Sequence, residues 1–227
     1  MDAKGWDYCD VILVSGDAYI DSPFIGVAMV GRMLERMGYK VGMIGQPDIN
    51  SADDISRLGE PRLYWGVSGG SVDSMVSNYT ATKKFRNSDD YTPGGKNDKR
   101  PDRALSVYCN LIRRHFKDTA PIVLGGIEAS LRRVTHYDYW TDKLRKPILF
   151  DSKADVLIYG MGEIALERLT RAMDEKRDYK DVRGVCYISK EPVAKYHQMP
   201  SHQDCLDDKE KYIDLFDLFY DNNDPIA

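Results

Sequence analysis

Residues 11–44, VILVSGDAYIDSPFIGVAMVGRMLERMGYKVGMI, contain one complete unit of the architecture. Val11-Ile12-Leu13-Val14 is a short unbroken apolar run, as expected of a strand buried on both faces. Val27, Val30, Leu34 and Met37 then share one helical face, Arg32, Glu35 and Arg36 fall elsewhere, and Gly38 supplies the stop. Val41-Gly42-Met43-Ile44 is a second apolar run. Strand, amphipathic helix and strand make a β-α-β unit. Its two strands run parallel, because the helix returns the chain to the end where it started.

Outward from this unit the pattern repeats. Leu63-Tyr64-Trp65-Gly66-Val67, Ile122-Val123-Leu124 and Val156-Leu157-Ile158-Tyr159 read as further buried strands. Leu105, Tyr108, Ile112 and Phe116 form a second helical stripe, and Leu166, Leu169 and Met173 a third, which begins after Gly162-Glu163. The expectation is an α/β, doubly wound fold around a parallel sheet. Spacing alone does not choose between the flavodoxin-like strand order 2-1-3-4-5 and the dinucleotide-binding order.

Two stretches interrupt the repeat. Residues 77–103 are polar and turn-rich, with Thr92-Pro93-Gly94-Gly95 and a charged run after it, and read as an insertion at the sheet's edge or its C-terminal rim. Val185 to Ile188 is a candidate extra strand, and beyond it only Tyr212 to Tyr220 looks helical. The organisation is therefore a domain over 1–190 and a connector over 191–227.

Composition narrows the class. The 227 residues are 42% hydrophobic and 30% charged, as in a soluble globular protein, and no apolar run is long enough to span a bilayer. Met1 to Tyr8 lacks the basic start and apolar middle of a secretory signal, so a cytoplasmic location is expected. A net charge of −4 argues against a surface built to hold a phosphate backbone. Cys9, Cys109, Cys186 and Cys205 have no paired spacing, so neither a zinc site nor a disulfide framework is supported. The first three lie in or beside apolar runs and read as buried thiols.

In an open α/β sheet, ligands bind where the loops leave the carboxyl ends of the strands. Those loops are Ser15 to Pro23, Ser68-Gly69-Gly70-Ser71, Gly125-Gly126-Ile127-Glu128 and Gly160-Met161-Gly162-Glu163. Glycine lets backbone amides approach a ligand, and a helix start favours an anionic group. The candidate ligand-binding residues are Gly16, Asp17, Asp21, Ser68, Gly69, Gly70, Gly125, Gly126, Glu128, Gly160, Gly162 and Glu163. Each loop also has a plain reading as a tight turn, with Glu128 or Glu163 favoured by the helix dipole and Asp17 or Asp21 as a cap or turn former. Neither GxGxxG nor GxxxxGK[ST] occurs at a helix start. His136-Tyr137-Asp138-Tyr139-Trp140 reads as an aromatic segment covering the sheet, or as a contact face. Tyr79, Lys83, Lys84, Phe85 and Arg86 read as a solvated helix face, or as a nucleic-acid contact that the composition leaves unsupported.

Several of these stretches resemble the YgiQ (UPF0313-type) family of radical S-adenosylmethionine (SAM) proteins. They are Asp10 to Asp21, Thr92-Pro93-Gly94-Gly95 with Lys99 to Ala104, Gly125 to Arg133, and His136 to Trp140. The resemblance implies a cobalamin-binding-like scaffold with order 2-1-3-4-5, placed ahead of a C-terminal radical SAM domain that holds SAM and a [4Fe-4S] cluster and acts on an unknown substrate. This domain would cap that partner. Two departures stand out. CxxxCxxC, the cluster motif, is absent, so no catalytic or metal-binding residue is expected within these 227 residues. Cobalamin domains that bind the cofactor base-off carry DxHxxG after the first strand, and here that stretch is Asp21-Ser22-Pro23-Phe24-Ile25-Gly26. Cobalamin is therefore not expected, with Tyr19 and Phe24 filling the groove for its nucleotide tail. The rival expectation is a non-catalytic module for a nucleotide, a cobalamin-like ligand or RNA.

Overall fold

The computed structural model describes residues 1, 4–193 and 196–222. In chain order the elements are β1 (Val11–Ser15), α1 (Gly26–Arg36), β2 (Val41–Gly45), α2 (Asp53–Ser56), β3 (Tyr64–Ser68), α3 (Ser74–Asn78), α4 (Ala104–His115), β4 (Ile122–Gly125), α5 (Ile127–Leu131), β5 (His136–Asp138), β6 (Lys143–Arg145), α6 (Ile148–Ser152), β7 (Val156–Ile158), α7 (Glu163–Asp174), β8 (Val185–Tyr187), α8 (His202–Asp207) and α9 (Lys209–Asp221). The main sheet is six-stranded in the order β2-β1-β3-β4-β7-β8. Its first five strands take the flavodoxin-like order that the family resemblance implies and run parallel. β8 pairs antiparallel with β7 along the outer edge.

Helices cover both faces, and each face carries its own core. On one side Trp65, Leu105, Tyr108, Ile112 and Leu124 pack together under α4 and α6. On the other, Leu13, Leu34, Tyr64, Val123, Ile158, Leu166 and Leu169 pack under α1 and α7. The alternation explains this split: Ile12 faces the first core while Val11 and Leu13 face the second, because successive strand side chains point to opposite faces. Gly38 ends α1 with a φ of 94°, a backbone region that glycine enters without steric cost.

The insertion lies on the C-terminal rim. The Ala18 amide donates to the Tyr91 carbonyl at 3.0 Å, and the Gln46 side-chain amide donates to Thr92 Oγ1 at 2.6 Å. Two local readings need correction. Residues 79–86 form a turn closed by a Tyr79–Phe85 bridge rather than a solvated helix. His136 to Trp140 belongs to the β5–β6 hairpin, with Tyr137 48% and Tyr139 49% exposed, instead of covering the sheet. The reason is shared: these aromatics pack on one another, with Tyr79–Trp140 ring centres 5.1 Å apart and Tyr139–Trp140 5.5 Å apart. Insertion and hairpin therefore meet in a surface cluster.

Within the stretch 191–227, the described residues form two helices. Its helices α8 and α9 fold back on the hairpin, burying Cys205 and Leu215, and the Tyr137 amide donates to the Tyr212 hydroxyl at 3.1 Å. Residues 194–195 and 223–227 of it lie outside the described residues. Cys9 and Cys109 are buried and Cys186 is partly buried; burial pushes the Cys109 thiol up to about 12 and that of Cys186 to about 11.

Candidate functional site

Between α1, α7 and the sheet lies a cavity of about 340 Å³ that opens at the C-terminal rim. That volume is near the lower end for small-molecule sites. Leu13, Tyr64, Gly66 and Val123 form its floor, Val27 and Val30 one wall, and Ile158 and Leu166 the other. The mouth is bordered by Asp17, Ser68, Gly70, Gly125, Gly126, Gly160, Gly162 and Glu163, all picked out in the sequence. A side chain at Gly125 would begin in open space. The cavity depends on the bare backbone there, and Gly125→Val is expected to raise stability by about 0.5–1 kcal/mol by restricting the unfolded chain and filling space. Urea unfolding checks this, and a loss of stability would show that the space is not open.

Phe24 and Met161 flank the mouth and are 93% and 89% exposed. The expectation that Tyr19 and Phe24 fill the groove is therefore corrected. Phe24 turns outward, and Tyr19 leans over the loop to donate a hydrogen bond to Asp21.

The other candidate residues lie elsewhere. Asp21 is exposed and pairs with Arg32, whose hydrogen bond holds its carboxyl below the usual range. Gly16 and Gly69 are buried beneath the rim, where a Cβ on Gly16 would come within 2.1 Å of the Gly69 carbonyl oxygen. Glu128 is 1% exposed and accepts from the Ser74 amide at 3.0 Å and the Leu105 amide at 3.5 Å. It thus ties together the starts of α3 and α4. Burial first, and Asp73 second, push its carboxyl upward.

Arg100 is the residue that sequence reasoning missed. Its side chain is fully buried and spans Asp17 at 2.7 Å, Asp89 at 3.1 Å and the Gly69 carbonyl at 2.7 Å. Asp17 also accepts from the Ser71 amide at 2.6 Å. One guanidinium therefore fastens the insertion to the loops after β1 and β3. Burial works against its charge and the two aspartates outweigh that, leaving it above its ordinary value. The only hint in the sequence was the Lys99-Arg100-Pro101-Asp102-Arg103 run, where nothing set Arg100 apart from its neighbours. Among the described residues there is no cluster of three or more His, Cys, Asp or Glu side chains suited to a metal, and no helix long and apolar enough to cross a membrane.

Five parallel strands in the order 2-1-3-4-5, with a groove at their C-terminal rim, define a flavodoxin-like doubly wound fold. The chain itself belongs to the radical SAM N-terminal family, which matches all of residues 1–227. It is 58% identical over its whole length to a UPF0313 protein of Fusobacterium nucleatum, and 49% identical over 99% of its length to one of Methanocella arvoryzae. It spans only 40% and 38% of those relatives. Among solved structures it is similar to the radical SAM methyltransferase TsrM of Kitasatospora setae. With tryptophan and a SAM analogue bound, the TM-score is 0.53 at 18% identity, over 79% of this chain and 28% of that one. With cobalamin and a [4Fe-4S] cluster bound, the TM-score is 0.50 at 19% identity, over 79% and 27%. At these identities the likeness concerns the fold.

Proposed function

We propose that this chain is the N-terminal domain of a radical SAM enzyme, and that its rim caps the cluster-bearing region while the groove holds part of the substrate. The observation that carries this is the open apolar groove, with bare glycine at its mouth and Phe24 and Met161 turned outward beside it. In the longer protein, the cluster and SAM would supply radical chemistry. The residues described here would bind, orient and keep water away. Glycine at 125, 126 and 160 lets a bound group lie against the backbone, and the two exposed apolar side chains give the capped region something to cover. Iron content and reductive cleavage of SAM by the full-length protein test the enzyme assignment; absence of both would remove it.

The TsrM structure with cobalamin bound raises the question of whether this groove takes the same cofactor. No groove-lining residue is histidine, and the histidine position of DxHxxG is held by Pro23, whose ring has no atom to offer a metal. The residues present offer no axial imidazole, so they do not fit cobalamin held base-off through a protein histidine, and we assign the groove to substrate. Equilibrium dialysis of the protein against hydroxocobalamin is expected to show no saturable binding. A one-to-one complex, abolished by Gly125→Phe, would make the groove a cobalamin site.

A further inference from the structure

Helix α9 has two apolar faces. Its inner face buries Leu215 and sets Phe219 against the Arg133 guanidinium, 4.2 Å from the ring centre. Its outer face carries Ile213, Phe216 and Tyr220, which are 48%, 53% and 69% exposed. Spaced by three and four residues they form one stripe, and the rings of Phe216 and Tyr220 stack with centres 6.1 Å apart. Single exposed apolar residues are ordinary on a protein surface, but three aligned on one helix form a contiguous patch of the kind that marks a contact. Asp214, Asp217 and Asp221 border it.

We propose that this stripe is the docking face for the cluster-bearing region beyond these 227 residues in the longer protein, an inference that rests on the function proposed above. Three observations select that occupant over a second copy of the domain. The chain is the N-terminal part of its family and spans 40% of the Fusobacterium relative, so most of such a protein lies outside it. Helix α9 ends at Asp221, close to the end of the chain, so the next region of such a protein is tethered at high local concentration beside the stripe. Finally, Arg133 lies against both Phe219 of α9 and Tyr159, 4.6 Å from the centre of the latter ring. Tyr159 directly precedes Gly160 at the groove mouth, so α9 itself is anchored on the side of the rim where the cluster-bearing region would sit. The acidic border calls for an apolar surface with basic residues around it on the partner.

The test uses the full-length protein with Phe216→Cys or Tyr220→Cys, and Glu175→Cys as an exposed reference beyond the end of α7. These are surface positions whose substitution leaves both cores untouched. Thiol labelling is read peptide by peptide, so the native cysteines do not interfere. Docking is expected to slow labelling at 216 and 220 about tenfold or more relative to 175, with the rates converging in denaturant. The protection should not change on dilution. Equal native rates overturn the proposal, as does protection that disappears on dilution together with a dimer mass, which would assign the stripe to a second copy. Iron content and SAM cleavage measured on the same wild-type preparation keep the two ideas apart. Protection without iron leaves docking standing and removes the enzyme reading; iron without protection does the reverse.

Discussion

Arg100→Met is expected to cost the fold about 3–5 kcal/mol, because it leaves Asp17 and Asp89 buried without their cation. The substitution keeps most of the side-chain volume, so the loss reports charge rather than packing. The Gly69 carbonyl would also lose its donor. Adding Asp17→Asn and Asp89→Asn should restore a substantial part, since the buried charges then disappear together. Urea unfolding of the single and triple variants checks both statements. A single-variant loss below about 1 kcal/mol, the range of exposed ion pairs, would show that water reaches the cluster.

Trp65→Ala is expected to cost a similar amount, about 3–5 kcal/mol, through loss of a large buried ring and the cavity left behind. Trp65 is fully buried in β3, its ring centre 5.5 Å from that of Phe116, and its indole N–H donates to Thr119 Oγ1 at 2.8 Å. Truncation removes the ring contact and the indole donor together, and Trp65→Phe should recover the larger part because it retains the packing. Thermal and urea unfolding give the comparison; equal losses for both variants would place the weight on the hydrogen bond instead.

The parts of this fold that were legible in the sequence are those built on period. Val11 to Ile44 announces strand, helix and strand because buried strands are apolar throughout and α1 repeats its apolar residues every three or four positions. The β5–β6 hairpin carried no such pattern: three-residue strands such as His136–Asp138 are too short to display alternation, and their exposed aromatics imitate a core segment. For the site, glycine-rich loops at strand ends located the groove mouth, since topology alone puts those loops on one rim. What each polar residue does there was not legible. Asp17 is turned toward Arg100 and Glu128 toward two helix starts by partners far away in the chain, and no local spacing encodes such pairings. Asp21, so close to Asp17 in sequence, is drawn off by Arg32.

The groove opens on one face of the sheet, and this bears on how the domain responds to compression. Pressure favours whichever state leaves less empty volume, and the groove lies on the side of α1 and α7. That side is the soft one. Squeezing the protein should drive water into the groove or loosen these two helices while the layer under α4 holds, a difference that high-pressure NMR resolves residue by residue. An occupant of the groove would remove the asymmetry and make the domain stiffer.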